Sequence, residues 1–156
     1  MTVASTSNRV SYNGTGALTP LAVSFPFFSA ADLVVVETIV ATGAQTTLSL
    51  TTDYTITGTL DGLGHYSNGG TVTPVLAFPV TVRWTIYRDP AATQQQIDLV
   101  ENDSLPAESV EAAFDYLTML VQRNRDLAVR TLRQPDGDST SIATLPSAVD
   151  RAVKYL

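Results

Sequence analysis

Residues 80–89 read VTVRWTIYRD, and their alternation sets the class of the fold. Val80, Val82, Trp84 and Ile86 fall on one face at period two, and Thr81, Arg83, Thr85 and Tyr87 fall on the other. That pattern predicts a half-buried strand with an apolar side and a polar side. Upstream, TVTPVLAFP (71–79) reads as a strand paired back on its neighbour, with Pro74 predicting an edge position. The glycine-rich TLDGLGHYSNGG (59–70) predicts a long hairpin loop. QTTLSLT (45–51) and DYTITG (53–58) read as two short strands. DLVVVETIVA (32–41) is rich in β-branched residues and predicts another, with Gly43 in the turn after it. LAVSFPFF (21–28) is an apolar strand ending near Pro26, and RVSYNGTG (9–16) alternates before turning at Asn13-Gly14. Downstream, TQQQIDLV (93–100) reads as a short last strand. The fold class is therefore mainly β, an antiparallel sandwich or barrel of about seven strands.

The pattern changes at PAESVEAAFDYLTMLVQRNRDLAVRTL (106–132). Ser104 suits a helix cap and Pro106 a first helical turn, so one long C-terminal helix is predicted. With Val110 at heptad position a, the a positions are Val110, Leu117, Asn124 and Thr131. The d positions are Ala113, Leu120 and Leu127, and Phe114, Val121 and Ala128 form a flanking stripe. At 1.5 Å per residue the rod is roughly 40 Å long, more than the ~25–30 Å expected of a β-domain this small. Two readings follow: the helix packs across its own domain, or its apolar stripe meets copies of itself. The overhang favours the second, with Val110, Ala113, Phe114, Leu117, Leu120, Val121, Asn124 and Leu127 as an oligomerisation interface in a trimeric coiled coil or bundle. QPDGDSTS then reads as a linker. The expected organisation is a β-sandwich domain over 1–103, a trimerisation helix over 104–133, and a flexible C-terminal extension over 134–156.

Charged residues make up 15% of the chain, against roughly 25% typically. Its net charge is −6, with a single lysine, Lys154. Neither value suits a protein that tracks phosphates or an anionic membrane. Acidic residues from Asp89 to Asp115 precede Arg123, Arg125, Arg130 and Arg133, an order that suits the helix dipole. The chain lacks cysteine, which removes disulfides and thiolate chemistry. No apolar run reaches the ~20 residues that span a bilayer, and MTVASTSNRVSYNGTG lacks the apolar core of a secretory signal, so folding where the chain is made, in a cytoplasm, is expected.

Motifs for chemistry are weak. His65 lies in the glycine-rich loop near Asp61 and Asn68, without a hydrolase motif or a metal-ligand spacing. DGLGHYSNGG lacks the Gly-Lys-Ser/Thr ending of a phosphate loop, and DLVENDSLPAE lacks the ligand pattern of an EF-hand. No catalytic residue, metal or cofactor is expected. Trp84, Tyr87, Phe78 and Tyr66 offer an alternative, a sugar-stacking platform on a carbohydrate-binding β-sandwich that adsorbs to a host surface, although Trp84 shares its face with apolar residues.

One ordered set of segments carries a family likeness: NRVSYNGTGALTPLAVSFPFFSAADLVVV, TDYTITG, GGTVT, VTVRWTIYRDPAATQ and NDSLPAESVEAAFDYLTMLVQ. Over roughly Asn8 to Gln134 the chain resembles the N-terminal virion-anchoring domain of bacteriophage tail fibres and tailspikes, especially those of short-tailed phages. LPSAVDRAVKYL also resembles a joint found after such domains, which implies a short form or a piece of a longer fibre. The resemblance implies a structural protein of the virion tail, a homotrimer docked on tail proteins of the adaptor, nozzle or baseplate. It further implies that a distal fibre or spike protein is mounted on it. An assembly chaperone, absent from finished particles, is a third reading.

Overall fold

The structure, a computed structural model, describes residues 3, 5–93 and 106–131. The strand expected over 93–100, the cap at Ser104 and the extension over 134–156 lie essentially outside these residues. Among the described residues are seven strands and one α-helix: β1 (Arg9–Asn13), β2 (Leu21–Val23), β3 (Leu33–Ile39), β4 (Gln45–Thr47), β5 (Tyr54–Thr57), β6 (Gly70–Pro74), β7 (Val82–Arg88) and α1 (Ala107–Val129). The strands form two antiparallel sheets, β1-β7-β3-β4 and β2-β6-β5. Leu33, Val35, Val82, Trp84 and Ile86 from the larger sheet meet Leu21, Val23, Tyr54 and Val72 from the smaller. The core is thus the space between two inner faces, a β-sandwich.

β7 is the hub. It pairs with β1 from Arg9↔Tyr87 to Asn13↔Arg83, and with β3 from Leu33↔Arg88 to Ile39↔Val82. Its alternate residues Val82, Trp84, Ile86 and Arg88 are buried. Val80, expected on that buried face, instead lies in the turn before the strand and is 67% exposed. The alternation begins only where the ladder does. Trp84 packs against Phe78 and Tyr54 and donates from Nε1 to Glu37 Oε2 at 3.0 Å, so its polar atom is satisfied inside the core.

β6 corrects a second expectation. It is the central strand of its sheet, paired with β2 and β5, although it contains Pro74. The proline is the last residue of the strand, and β2 pairs only as far as Val72, so the missing N–H interrupts no central ladder. Two glycines allow the backbones to close up. A Cβ on Gly14 would stand 1.6 Å from the carbonyl oxygen of Pro79. Gly69 combines φ +79° with a would-be Cβ 1.9 Å from the oxygen of Val23.

The chain divides into two compact units, Met1–Arg125 and Asp126–Leu156, so the greater part of α1 belongs with the sandwich. No helix among the described residues is long and apolar enough to cross a membrane.

Candidate assembly surfaces

The helix begins where Pro106 removes an N–H that no helical carbonyl would accept, while its own carbonyl receives Ser109 N at 3.0 Å. One face of α1 then lies on the sandwich. Ala112, Asp115, Tyr116 and Met119, spaced by three and four residues, are buried. Ala112, Tyr116 and Met119 form a small second core with Phe28, joined by Val3 and Leu120. The Tyr116 ring meets Phe28 edge-on at 5.4 Å, and His65 covers Phe28 at 4.2 Å.

Polar contacts surround this cluster. Arg88, 1% exposed, donates to the carbonyl of Pro26 and to Gln122 Oε1. Gln122 in turn donates to the carbonyl of Ser5 at 2.9 Å, and its own carbonyl accepts from Asn8 at 3.2 Å. Arg123 forks onto Asp89 at 2.7 and 3.3 Å and stacks over Tyr87 at 4.5 Å. Tyr116 donates its hydroxyl to the carbonyl of Ala91, and Val3 N–H reaches Asp115 Oδ1 at 2.9 Å. Burial pushes the Arg88 guanidinium down to about 10, with Asp32 opposing the shift. Burial likewise raises the carboxyls of Asp32 and Asp115, against the hydrogen bonds from Ser29 and Phe28 and from Val3 respectively.

The opposite face is apolar and uncovered. Phe114 is 64% exposed, Leu117 56% and Val121 65%, and Asn124 is exposed as well. Val110 and Ala113 are half-buried. Leu120 is half-buried too, and it touches the Phe28 cluster. Leu127, in the second unit, is 43% exposed. The helix therefore has two apolar faces. The outer one runs Val110, Phe114, Leu117, Val121, Asn124, with alternating steps of four and three. That spacing centres on the a positions and the flanking stripe of the expected heptad. Two of its d positions, Ala113 and Leu120, sit at the border of the face docked on the sandwich.

The aromatic platform does not assemble at the surface. Trp84 and Phe78 lie in the core, Tyr66 stacks on Phe27 at 4.4 Å, and Tyr87 is flanked by Arg9 and Arg123. His65 and Asp61 approach each other at 4.0 Å inside the β5–β6 loop. Asp61 is used there to fold the loop, accepting from the amides of Leu63 and His65 at 2.9 Å and from the Ser67 hydroxyl. No group of three or more His, Cys, Asp or Glu suited to a metal ion occurs among the described residues.

No protein-family model matches the chain. Over 137 residues it is 36% identical to a tail spike protein of Salmonella phage epsilon15, an alignment that takes in 86% of this chain. The relationship supports a phage tail protein family. The chain spans only 12% of that relative's length.

Two features of these surfaces were hidden in sequence. Arg88 sits at a terminal strand position that reads as polar, and only its place under the helix makes it a buried tie. Asp115 on the docked face breaks its apolar stripe, so the heptad pattern centred on the outer face, with Ala113 and Leu120 at its border. The signal for the inner face was the i, i+4, i+7 set Ala112, Tyr116, Met119, short but regular.

Proposed function

We propose that this chain is a structural component of a phage tail, located in the virion, that anchors or adapts a host-recognition fibre or spike. The reading takes its class from the tail spike relative and its mechanism from the helix. Three copies associate through the outer seam of Phe114, Leu117 and Val121, with Asn124 fixing register. The sandwich domains then face the tail proteins, and a distal fibre or spike is carried beyond the helices. The role is assembly by burial and requires no catalysis.

The exposed seam is the observation that supports this reading most. An uncovered apolar stripe at heptad spacing is costly in water and suits a helix of the same spacing. Each of the three side chains gains about 2 kcal/mol on full burial. Contributed by three copies, they set up to about 18 kcal/mol against a cost of about 4–15 kcal/mol for each of the two joining steps of a trimer. The seam is held outward by a helix whose other face is already buried on the sandwich. The helix then presents a preformed surface, and little ordering entropy is lost on association.

Quantitative mass spectrometry of purified particles tests the role. The expected result is this chain in intact particles at a copy number divisible by three. Its absence from mature particles, with abundance in infected cells, would favour the chaperone reading instead.

A further inference from the structure

The strands carry the two surfaces of the sandwich to opposite ends. Leu33 and Arg88 are paired at the end where α1 docks, and Ile39 and Val82 at the other. At that far end the β1–β2, β3–β4 and β6–β7 loops are tied together. Gly16 N donates to Phe78 O at 2.7 Å, Phe78 N to Ala17 O at 3.0 Å, and Val40 N to Thr81 O at 3.0 Å. These loops are short of polar cover. Leu18 is 57% exposed, Val40 63%, Leu76 80% and Val80 67%. Four large apolar side chains are thus exposed on hydrogen-bonded loops at one end, and apolar surface gathered in this way marks a contact surface.

A cleft of about 250 Å³ opens beside this patch. Leu76 and Pro79 form its lip, Leu48 and the edge of Trp84 its floor, and Glu37 and Asp53 supply its charge. Glu37 Oε2 is held by the Trp84 indole at 3.0 Å, and Asp53 Oδ2 by the amide of Ser49 at 2.7 Å. Among the described residues neither Glu37 Oε1 nor Asp53 Oδ1 has a partner. The loops of the tip contain no Lys or Arg, and Arg83 lies on the outward face of β7, away from Trp84. The cleft is smaller than the roughly 300–1,000 Å³ of small-molecule sites, and it suits one long side chain.

We infer that this tip is a docking surface for an apolar loop of another protein, which inserts an arginine side chain between Glu37 and Asp53. The charge of the cleft selects a cation, and a planar guanidinium can address two carboxylates where an ammonium acts as a point charge. The apolar lip selects the residues that flank it. A second copy fits less well as the occupant. The helix seam already closes a symmetric assembly, and a further contact between copies through the far end would propagate without closing. The inference rests on the tail-anchor reading, for which it names the surface that meets the tail.

The chain's one tryptophan stands in the cleft and reports on it. Acetyl-Leu-Arg-Leu-Val-amide, titrated into the full chain, should shift the Trp84 indole N–H signal saturably. The same peptide with glutamine for arginine should bind at least about tenfold more weakly, equivalent to 1.4 kcal/mol. Glu37→Gln retains an acceptor for the indole and so preserves the fold, yet it should weaken the arginine peptide to the level of the glutamine one, as should Asp53→Asn. Leu76→Ser should weaken both peptides. Absence of a shift, equal affinity for the two peptides, or unchanged binding by Glu37→Gln and Asp53→Asn would each overturn the inference. Light scattering on the same samples separates the two readings. A three-fold mass without peptide binding sinks the docking surface alone, and a monomer that binds the peptide sinks the trimer alone.

Discussion

Arg88 is the residue on which the helix attachment turns. It falls on the buried face of β7, where its guanidinium reaches Pro26 and Gln122. Gln122 completes the tie by bonding the N-terminal segment at Ser5. Gln122→Ala removes those side-chain bonds together and leaves a buried charge short of an acceptor. The expected loss is about 2 kcal/mol of unfolding free energy, read as a lower urea midpoint at unchanged slope. Thr51 carries strain of another kind. It has φ +72°, a region β-branched residues avoid, in the turn between β4 and β5. Its side chain is exposed, so Thr51→Asn relaxes the backbone without disturbing packing, and a gain of roughly 1 kcal/mol is expected in the same assay. Asp61 supplies one part of the pH dependence. Burial opposes its ionisation, but the bonds from Ser67, His65 and Leu63 outweigh that and hold the carboxyl below its ordinary range. Its contribution is present above the ordinary carboxylate value of about 3.9 and disappears as pH falls through the lowered folded value. Asp32 and Asp115 act with opposite sign. Their raised carboxyls bind a proton sooner when folded, so their contribution declines as pH rises through the raised values. Asp115→Asn keeps an acceptor for Val3, and its stability relative to the parent should grow as pH rises from 4 to 7. Thermal unfolding across that range measures it, and a flat difference would contradict the assignment.

At the scale of elements, the strands were legible because the sandwich obeys local rules. Period-two alternation placed β7, β-branched density placed β3, and Asn13-Gly14 and Gly43 placed the turns after β1 and β3. What sequence could not give was context. Pro74 reads as an edge signal, yet β6 is central because the proline falls after its last pair with β2. Val80 continues the alternation of β7 on paper and lies outside the ladder in space. The helix shows the same limit more strongly. A heptad assigns one stripe, whereas α1 has two, and the inner one mixes Met119 and Tyr116 with Asp115. Substitutions separate them. Met119→Asp places a charge in a fully buried site and should destabilise the chain by roughly 3 kcal/mol or more, lowering its melting temperature sharply. Val121→Asp stands on the exposed face and should leave the stability of the single chain within about 0.5 kcal/mol.

At the scale of the whole molecule, the arrangement separates three tasks. The core between the sheets holds the fold, the inner face of α1 and its polar ties fix the helix to the sandwich, and the outer face and far loops remain uncovered. The tail spike relative gives that arrangement a setting, a phage tail protein family. In the proposed account the helix acts twice, within its own chain through Ala112, Tyr116 and Met119, and between chains through Phe114, Leu117 and Val121. The most direct test is the solution mass of the full chain beside its Val121→Asp variant, by light scattering with helicity followed by circular dichroism. The account predicts three times the chain mass for the parent and a folded, helical monomer for the variant. A parent that stays monomeric at high micromolar concentration with its helix intact, or a variant that assembles as the parent does, would contradict it.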